Sequence, residues 1–571
     1  MRRLLLLFLI LVGLAVAIAL VAVLRSGGGT PSRALAGGST VLGLTLSEPL
    51  ADYAPAPRLP FLRIQPRQSL ATIYRAVRRA RDDDDVRAVR VYVQRAAMGL
   101  AQAQELRRLL ASLVDAGKSV HCYLEGAGEG TNGTLAYYLV SVCPTVSLMP
   151  GSDLNLIGVH VDSAFLRGTL DKLRIEPDFD HVGRYKSAAE AYTESAHSPA
   201  SREALGTILD DLYGQIVAAI ADGRELAPER VRDLVDRGPH TADEALAAGL
   251  VDELLYPDEL DERIRDEVGE KARLLTTEEY ARHTRARASL AVVFAQGPIV
   301  RGDDALDPWT RERAIASDDL GELLAALTED ATTRAVVLRV DSPGGSALAS
   351  ELILRRATLL AEAKPLVVSM SSLAASGGYY ISTRARSIVA EAGTLTGSIG
   401  VVGGKFATRS FQQELLGITH DTLQRGANAD FYSALDPFTP QQAETYHRQM
   451  EAVYDRFVAH VVSGREMTRD AVLAIAEGRV WSGERAAAVG LIDEIGGLDR
   501  ALEIAAEAAG IALADAGVAF YPEPPSLFDL LADDGLPDLS IDLERLAAAL
   551  EPSPPGTLEL PADLARIAYP F

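Results

Sequence analysis

Ser376 stands in Leu373-Ala374-Ala375-Ser376-Gly377-Gly378-Tyr379-Tyr380, between a predicted strand and a predicted helix start. A hydroxyl at such a junction sits in the positive field of a helix N-terminus. Upstream, Asp341-Ser342-Pro343-Gly344-Gly345-Ser346 follows a Val-rich strand, and glycines there let backbone N–H groups face a ligand without obstruction. Such N–H groups can stabilise a tetrahedral oxyanion, an effect of roughly 3–4 kcal/mol per donor. For this stretch alone, an N-capping serine with packing glycines is the simpler reading.

A serine nucleophile needs a base. His181, His197 and His240 stand in no recognisable triad context. A desolvated lysine can be neutral near pH 7, whereas arginine cannot. Only six of the 56 basic residues are lysines: Lys118, Lys172, Lys186, Lys271, Lys364 and Lys405. Lys186 lies in Val182-Gly183-Arg184-Tyr185-Lys186-Ser187-Ala188, a polar loop before a helix start at Ser198-Pro199.

These residues belong to a chain that repeats itself. Arg87-Ala88-Val89, Tyr137-Tyr138, Ile157-Gly158-Val159 and the run from Glu244 to Glu253 recur as Arg334-Ala335-Val336, Tyr379-Tyr380, Ile399-Gly400-Val401 and Glu484 to Glu494. An offset of about 242 residues means a duplicated domain and excludes a short-period solenoid. The copies differ where chemistry would occur. Gln94-Arg95-Ala96-Ala97-Met98-Gly99 replaces the paired-glycine loop, and Thr134-Leu135-Ala136 replaces Ser376-Gly377-Gly378. Conversely, Ala427 or Asn428 falls opposite Lys186. Glycines required by the fold alone would be needed in both copies, so the complementary losses point to a site at a seam between unlike halves.

The elements that must position this site alternate short Val-rich runs (Val89 to Val93, Val336 to Val340, Leu366-Val367-Val368) with helical stretches such as Ser350 to Ala363. That is the βαβ pattern of a parallel sheet covered by helices, an α/β fold. The expected organisation is residues 1–25 as a membrane anchor, 26–38 as a Gly/Ser/Pro linker and 39–273 as the domain supplying Lys186. A charged linker at 274–288, a domain at 289–512 supplying Ser376, and an acidic, Pro-containing tail at 513–571 follow.

Leu4 to Leu24 is an uncharged apolar run of 21 residues, long enough at 1.5 Å per residue to span a ~30 Å hydrocarbon core. It exceeds the usual signal-peptide apolar region, which favours an uncleaved transmembrane helix, with cleavage near Ala34-Leu35-Ala36 as the alternative. Arg2 and Arg3 place its start in the cytoplasm and the bulk of the chain outside, against the opposing charge of Arg25. The net charge of −23 and the absence of a basic block in the soluble part argue against nucleic acid as a partner. Cys122 and Cys143 fall on what read as neighbouring strands and form either a disulfide or two buried thiols. No Cys/His cluster suggests zinc, and neither metal nor cofactor is expected.

Four motifs carry a family resemblance: the Asp341–Ser346 loop, Ala375-Ser376-Gly377-Gly378-Tyr379-Tyr380, Thr396-Gly397-Ser398-Ile399-Gly400-Val401, and Gly183-Arg184-Tyr185-Lys186-Ser187-Ala188. With the anchor and the repeat, the chain to about residue 510 resembles the long, duplicated form of the signal peptide peptidase A (protease IV) family, bacterial membrane-anchored serine proteases with a Ser-Lys dyad. The resemblance implies Ser376 as nucleophile, Lys186 as general base and Ser398 as a candidate to orient the lysine, with oxyanion stabilisation from N–H groups around Gly344, Gly345 and Gly377. It further implies tandem Clp protease/crotonase-like domains, a homotetramer, placement at the bacterial inner membrane with the bulk on the periplasmic side, and peptide substrates such as cleaved signal peptides. The rival expectations are a crotonase-like acyl-CoA enzyme and a non-catalytic membrane scaffold. The export anchor and the lack of a basic patch for CoA phosphates oppose the first, and the complementary retention of Ser376 and Lys186 opposes the second.

Overall fold

The structure is a computed structural model that describes residues 39–55, 68–95, 97–281, 288–303 and 314–524. The expected anchor and linker at 1–38 and most of the tail lie outside the described residues.

Each half is built on a parallel sheet of the same strand order. In the first half the strands run Glu253–Leu254, Thr145–Leu148, Ser119–Leu124, Val86–Val93, Thr40–Leu46 and Arg273–Thr276. In the second, Glu494–Ile495, Ser387–Ala390, Leu366–Ala375, Ala335–Ser342, Ala288–Gln296 and Gly517–Tyr521 follow the same sequence, every pairing parallel. The central strands Ala335–Ser342 and Leu366–Ala375 are buried along their whole length, as near-continuous apolar runs in a doubly covered sheet require.

The duplication extends to individual hydrogen bonds. Tyr137 Oη donates to the Leu250 carbonyl at 2.6 Å, and Tyr379 Oη to the Leu491 carbonyl at 2.8 Å. Arg224 pairs with Asp252 and Arg465 with Asp493, and each aspartate accepts from the first residues of its neighbouring strand, Val146 or Ile388, at 2.7 Å.

This pairing reaches past two of the expected boundaries. Arg273–Thr276 is the edge strand of the first sheet, and the helix Thr277–Ala281 that follows buries Tyr280 against it, so the segment to 281 belongs to the first half. Likewise Gly517–Tyr521, past the expected boundary at 512, pairs with Ala288–Gln296 of the second half's sheet. Each of these strands is held by the first strand of its own repeat. Cys122 is on a strand as expected, but Cys143 follows the helix Thr134–Val140, and the two form a disulfide.

The halves are not independent bodies. One hydrophobic cluster contains Leu106, Leu110 and Val91 of the first half with Val292, Val337, Leu373 and Leu498 of the second. Arg339, 1 % exposed, donates to Asp52 at 2.7 Å and Glu105 at 2.8 Å across the seam. Asp52 also accepts from Gln102 and Ser371, and Glu105 from the Leu498 N–H, so each buried carboxylate has several donors. A two-stranded antiparallel ribbon, Glu176–Val182 with Val401–Ala407, ties the halves a second time.

Candidate active site

Ser376 and Ser398 lie at the carboxyl ends of adjacent parallel strands, the usual place for a ligand site in an open α/β sheet. Leu366–Ala375 pairs with Leu395–Gly397, and the Ser376 N–H donates to the Gly397 carbonyl at 2.9 Å. Both serines hold positive φ, 53° and 52°, a conformation that costs a non-glycine residue about 1–3 kcal/mol. The Ser376 hydroxyl makes no cap hydrogen bond to the helix Gly377–Ser382, so the N-cap reading of this serine does not describe the fold. The strained turn presents Oγ to Lys186 instead.

Lys186 arrives from the other half. The ribbon pairs Val182 with Val401, and this register brings the residues just past Val182 alongside those just before Val401. As a result Lys186 Nζ stands 3.1 Å from Ser376 Oγ, 3.0 Å from the Ser398 carbonyl oxygen and 3.0 Å from Ser398 Oγ. Three oxygens suit the three N–H groups of an ammonium. In the neutral amine two hydrogens can remain on Ser398 while the lone pair faces the Ser376 O–H. Lys186 is only 7 % exposed, and burial pushes its pKa down to about 7. Near neutral pH a large fraction of it is therefore free base.

The glycine loop closes the other side of Ser376. Gly344 and Gly345 have φ of 101° and 145°, and a Cβ on Gly344 would lie 2.6 Å from the Gly377 nitrogen and 2.8 Å from Ser376 Cβ. The Gly344 N–H donates to Ser342 Oγ at 3.1 Å, so Gly344 serves the site through its missing side chain. Among the described residues the N–H groups of Gly345 and Gly377 donate to no protein acceptor, and Gly345 is exposed. Ser376, Lys186, Ser398 and the three glycines are thus brought to one place.

The equivalent place in the first half is filled from within. Thr134 Oγ1 accepts from the N–H groups of Ile157 at 3.2 Å and Gly158 at 3.0 Å, leaving no hydroxyl aimed at a ligand. Lys405, the other lysine close in sequence to Ser398, donates to the Phe431 carbonyl at 3.1 Å and lies 4.1 Å above the Phe438 ring.

Two contributors escape sequence reasoning. Ser342 was legible only as part of its loop, yet its hydroxyl fixes the loop's turn. The turn Glu477-Gly478-Arg479 lies far from Lys186 in sequence, yet the Glu477 carbonyl accepts from the Tyr185 N–H at 2.7 Å, next to Lys186.

Peptidase family S49 matches residues 113–271, which include Lys186, and 358–512, which include Ser376 and Ser398. The chain is 33 % identical over 443 residues to the chloroplastic serine protease SPPA of Arabidopsis thaliana, covering 76 % of this chain and 64 % of that protein. It is 30 % identical over 503 residues to Protease 4 of Salmonella typhi, covering 85 % of this chain and 79 % of that one. Protease 4 of Haemophilus influenzae is 31 % identical over 409 residues, covering 68 % of this chain and 64 % of its own length. The chain thus spans just under two thirds of the Arabidopsis and Haemophilus proteins. Among solved structures, a ClpP1 mutant from Listeria monocytogenes aligns with 36 % of this chain and 92 % of its own at 12 % identity and a TM-score of 0.24. By the two matches in tandem and the relatives that span most of its length, the chain belongs to peptidase family S49.

Proposed function

We propose that the protein is a serine peptidase whose nucleophile, Ser376, and general base, Lys186, come from different halves of a duplicated chain. The observation that carries this reading is the 3.1 Å approach of a buried lysine Nζ to a serine Oγ held in a strained turn. In the first step the Lys186 lone pair takes the Ser376 proton as Oγ bonds to the peptide carbonyl carbon, and the carbonyl π pair moves onto oxygen. The N–H groups of Gly345 and Gly377 face the resulting oxyanion. Its collapse breaks the C–N bond, and the Lys186 ammonium returns its proton to the leaving amine. Lys186 then takes a proton from water as the water oxygen bonds to the acyl carbon, and collapse of this second tetrahedral intermediate breaks the C–Oγ bond while the Lys186 ammonium returns the proton to Ser376 Oγ. Ser398 holds two of the amine's hydrogens and so keeps the lone pair on Ser376.

Cleaved signal peptides and other unfolded peptides are the substrates that suit this reading, because a peptide must present its backbone to a cleft at the strand ends. The same reading carries a Clp protease/crotonase-type fold for each half and an anchor at Leu4–Leu24, with the catalytic bulk outside the cytoplasm. The Cys122–Cys143 disulfide favours that oxidising side. Exposed Leu415, Leu416, Ile418 and Leu423 offer apolar surface for the contacts of a homotetramer. The one described helix long and apolar enough to cross a membrane, Pro199–Gly223, buries Ile208, Leu212, Ile216 and Ile220 in the first half's core. Hydrolysis of an unfolded polypeptide by wild type, with none by folded Ser376→Ala, is the expected result; equal rates would remove Ser376 from the chemistry.

A further inference from the structure

Three backbone segments meet beside the dyad with no side chain between them. The turn Glu477-Gly478-Arg479 follows the helix Arg469–Ile475, with φ of 52° at Glu477 and 76° at Gly478. On the lysine side, the Glu477 carbonyl accepts from the Tyr185 N–H at 2.7 Å, and a Cβ on Gly183 would lie 2.5 Å from the Glu477 carbonyl carbon. On the serine side, the Gly478 N–H donates to the Ile399 carbonyl at 2.7 Å, and the Arg479 carbonyl accepts from the Ser398 N–H at 2.8 Å. Gly478 itself lies against Lys186: a Cβ there would be 2.6 Å from both the Lys186 nitrogen and its Cβ. A Cβ on Gly400 would in turn be 2.8 Å from Gly478 Cα.

We propose that Gly478 is a positioning residue: the turn it forms clamps Lys186 of one half against Ser398 of the other and seals the lysine from water. The proposal rests on the Ser376–Lys186 reading. A side chain at 478 would push the Lys186 backbone away from Ser398 and open the contact, and the positive φ adds strain for any residue but glycine. The charged groups around the lysine do not substitute for this seal. Glu203 is engaged by Tyr185 Oη at 3.0 Å, by Arg479 at 3.1 Å and by Arg184 at 3.6 Å, and the Glu477 side chain is exposed. Arg479 also stacks over Tyr185 and Trp481, each at 4.8 Å, closing the turn from outside.

The test is the rate at which a fluorophosphonate labels Ser376 as a function of pH in the full chain, for wild type, Gly478→Ala and Arg479→Ala, with circular dichroism to establish folding. Gly478→Ala should label roughly 10- to 100-fold more slowly, as displacement of a catalytic group by about an ångström does. Its midpoint should also rise by about one pH unit as water reaches Lys186. Arg479→Ala, which keeps the turn's backbone, should raise the midpoint by less. A folded Gly478→Ala whose midpoint is unmoved overturns the proposal, whatever its rate, because a purely structural role lowers rate without moving the midpoint. If Gly478→Ala does not fold, an unmoved midpoint in Arg479→Ala overturns it. Failure of the dyad reading looks different: the wild type itself would then label with no dependence on Lys186.

Discussion

Arg339, in the strand that leads into the Gly344-Gly345 loop, donates to Asp52 of the opposite half at 2.7 Å, both side chains fully withdrawn from water. Burial alone would raise the Asp52 carboxyl, but Arg339 together with hydrogen bonds from Gln102 and Ser371 holds it below the ordinary aspartate range. The dyad proposed across the two halves would depend on such a lock, because a small shift of one half against the other would part Lys186 from Ser376. Asp52→Ala leaves the guanidinium with one carboxylate partner and should lower stability by about 3–5 kcal/mol, the usual result of breaking a buried pair. Chemical denaturation measures it; a loss below about 1 kcal/mol, as surface ion pairs give, would show that the seam does not rely on this network.

Ser376 holds a φ of 53°, a conformation that costs a non-glycine residue. Ser376→Gly should therefore abolish peptide hydrolysis while raising thermal stability by about 1 kcal/mol, since glycine accepts positive φ without steric cost. An inactive glycine variant that is less stable than wild type would mean that the turn is held by contacts of the serine side chain and stores no strain.

Lys186, the proposed base, must be neutral to act. Activity should rise with pH through a midpoint near 7, set by the burial of Lys186, well below the ~10.4 of a free lysine. Lys186→Arg should be as inactive as Lys186→Ala, because a guanidinium stays charged. An active arginine variant would show that the cation only binds substrate.

The same depressed pKa has a consequence for folding. Below pH 7 both folded and unfolded chains carry the Lys186 proton, and the folded chain bears the full cost of a buried ammonium. Between pH 7 and about 10.4 the unfolded chain binds a proton that the folded chain does not, so this cost falls as pH rises and vanishes above that window. Lys186→Met should accordingly be more stable than wild type, with the gain largest at and below pH 7 and shrinking towards pH 10. Melting temperatures of the two proteins across that range check the sign; a gain that grows with pH would contradict it.

Much of this was legible in the sequence because duplication turns one chain into its own comparison. Tyr137 and Tyr379, or Asp252 and Asp493, stand at matching places and make matching hydrogen bonds, whereas Thr134 and Ser376 differ in what they can do. What stayed hidden was non-local. Arg339 stands within a Val-rich strand, and only the fold brings Asp52 and Glu105 to it. The edge strand Gly517–Tyr521 has an apolar pattern of its own, but only the fold gives its partner, Ala288–Gln296. The close approach of Gly478 to the Lys186 backbone joins residues that no local pattern connects.

The most direct measurement is mass-spectrometric mapping of fluorophosphonate labelling in the full chain at pH 8, for wild type, Lys186→Ala and Lys405→Ala. With Lys186 as the base, wild type and Lys405→Ala are modified at Ser376 at similar rates, and folded Lys186→Ala is not modified. Labelling of Lys186→Ala at the wild-type rate would contradict a dyad shared between the halves.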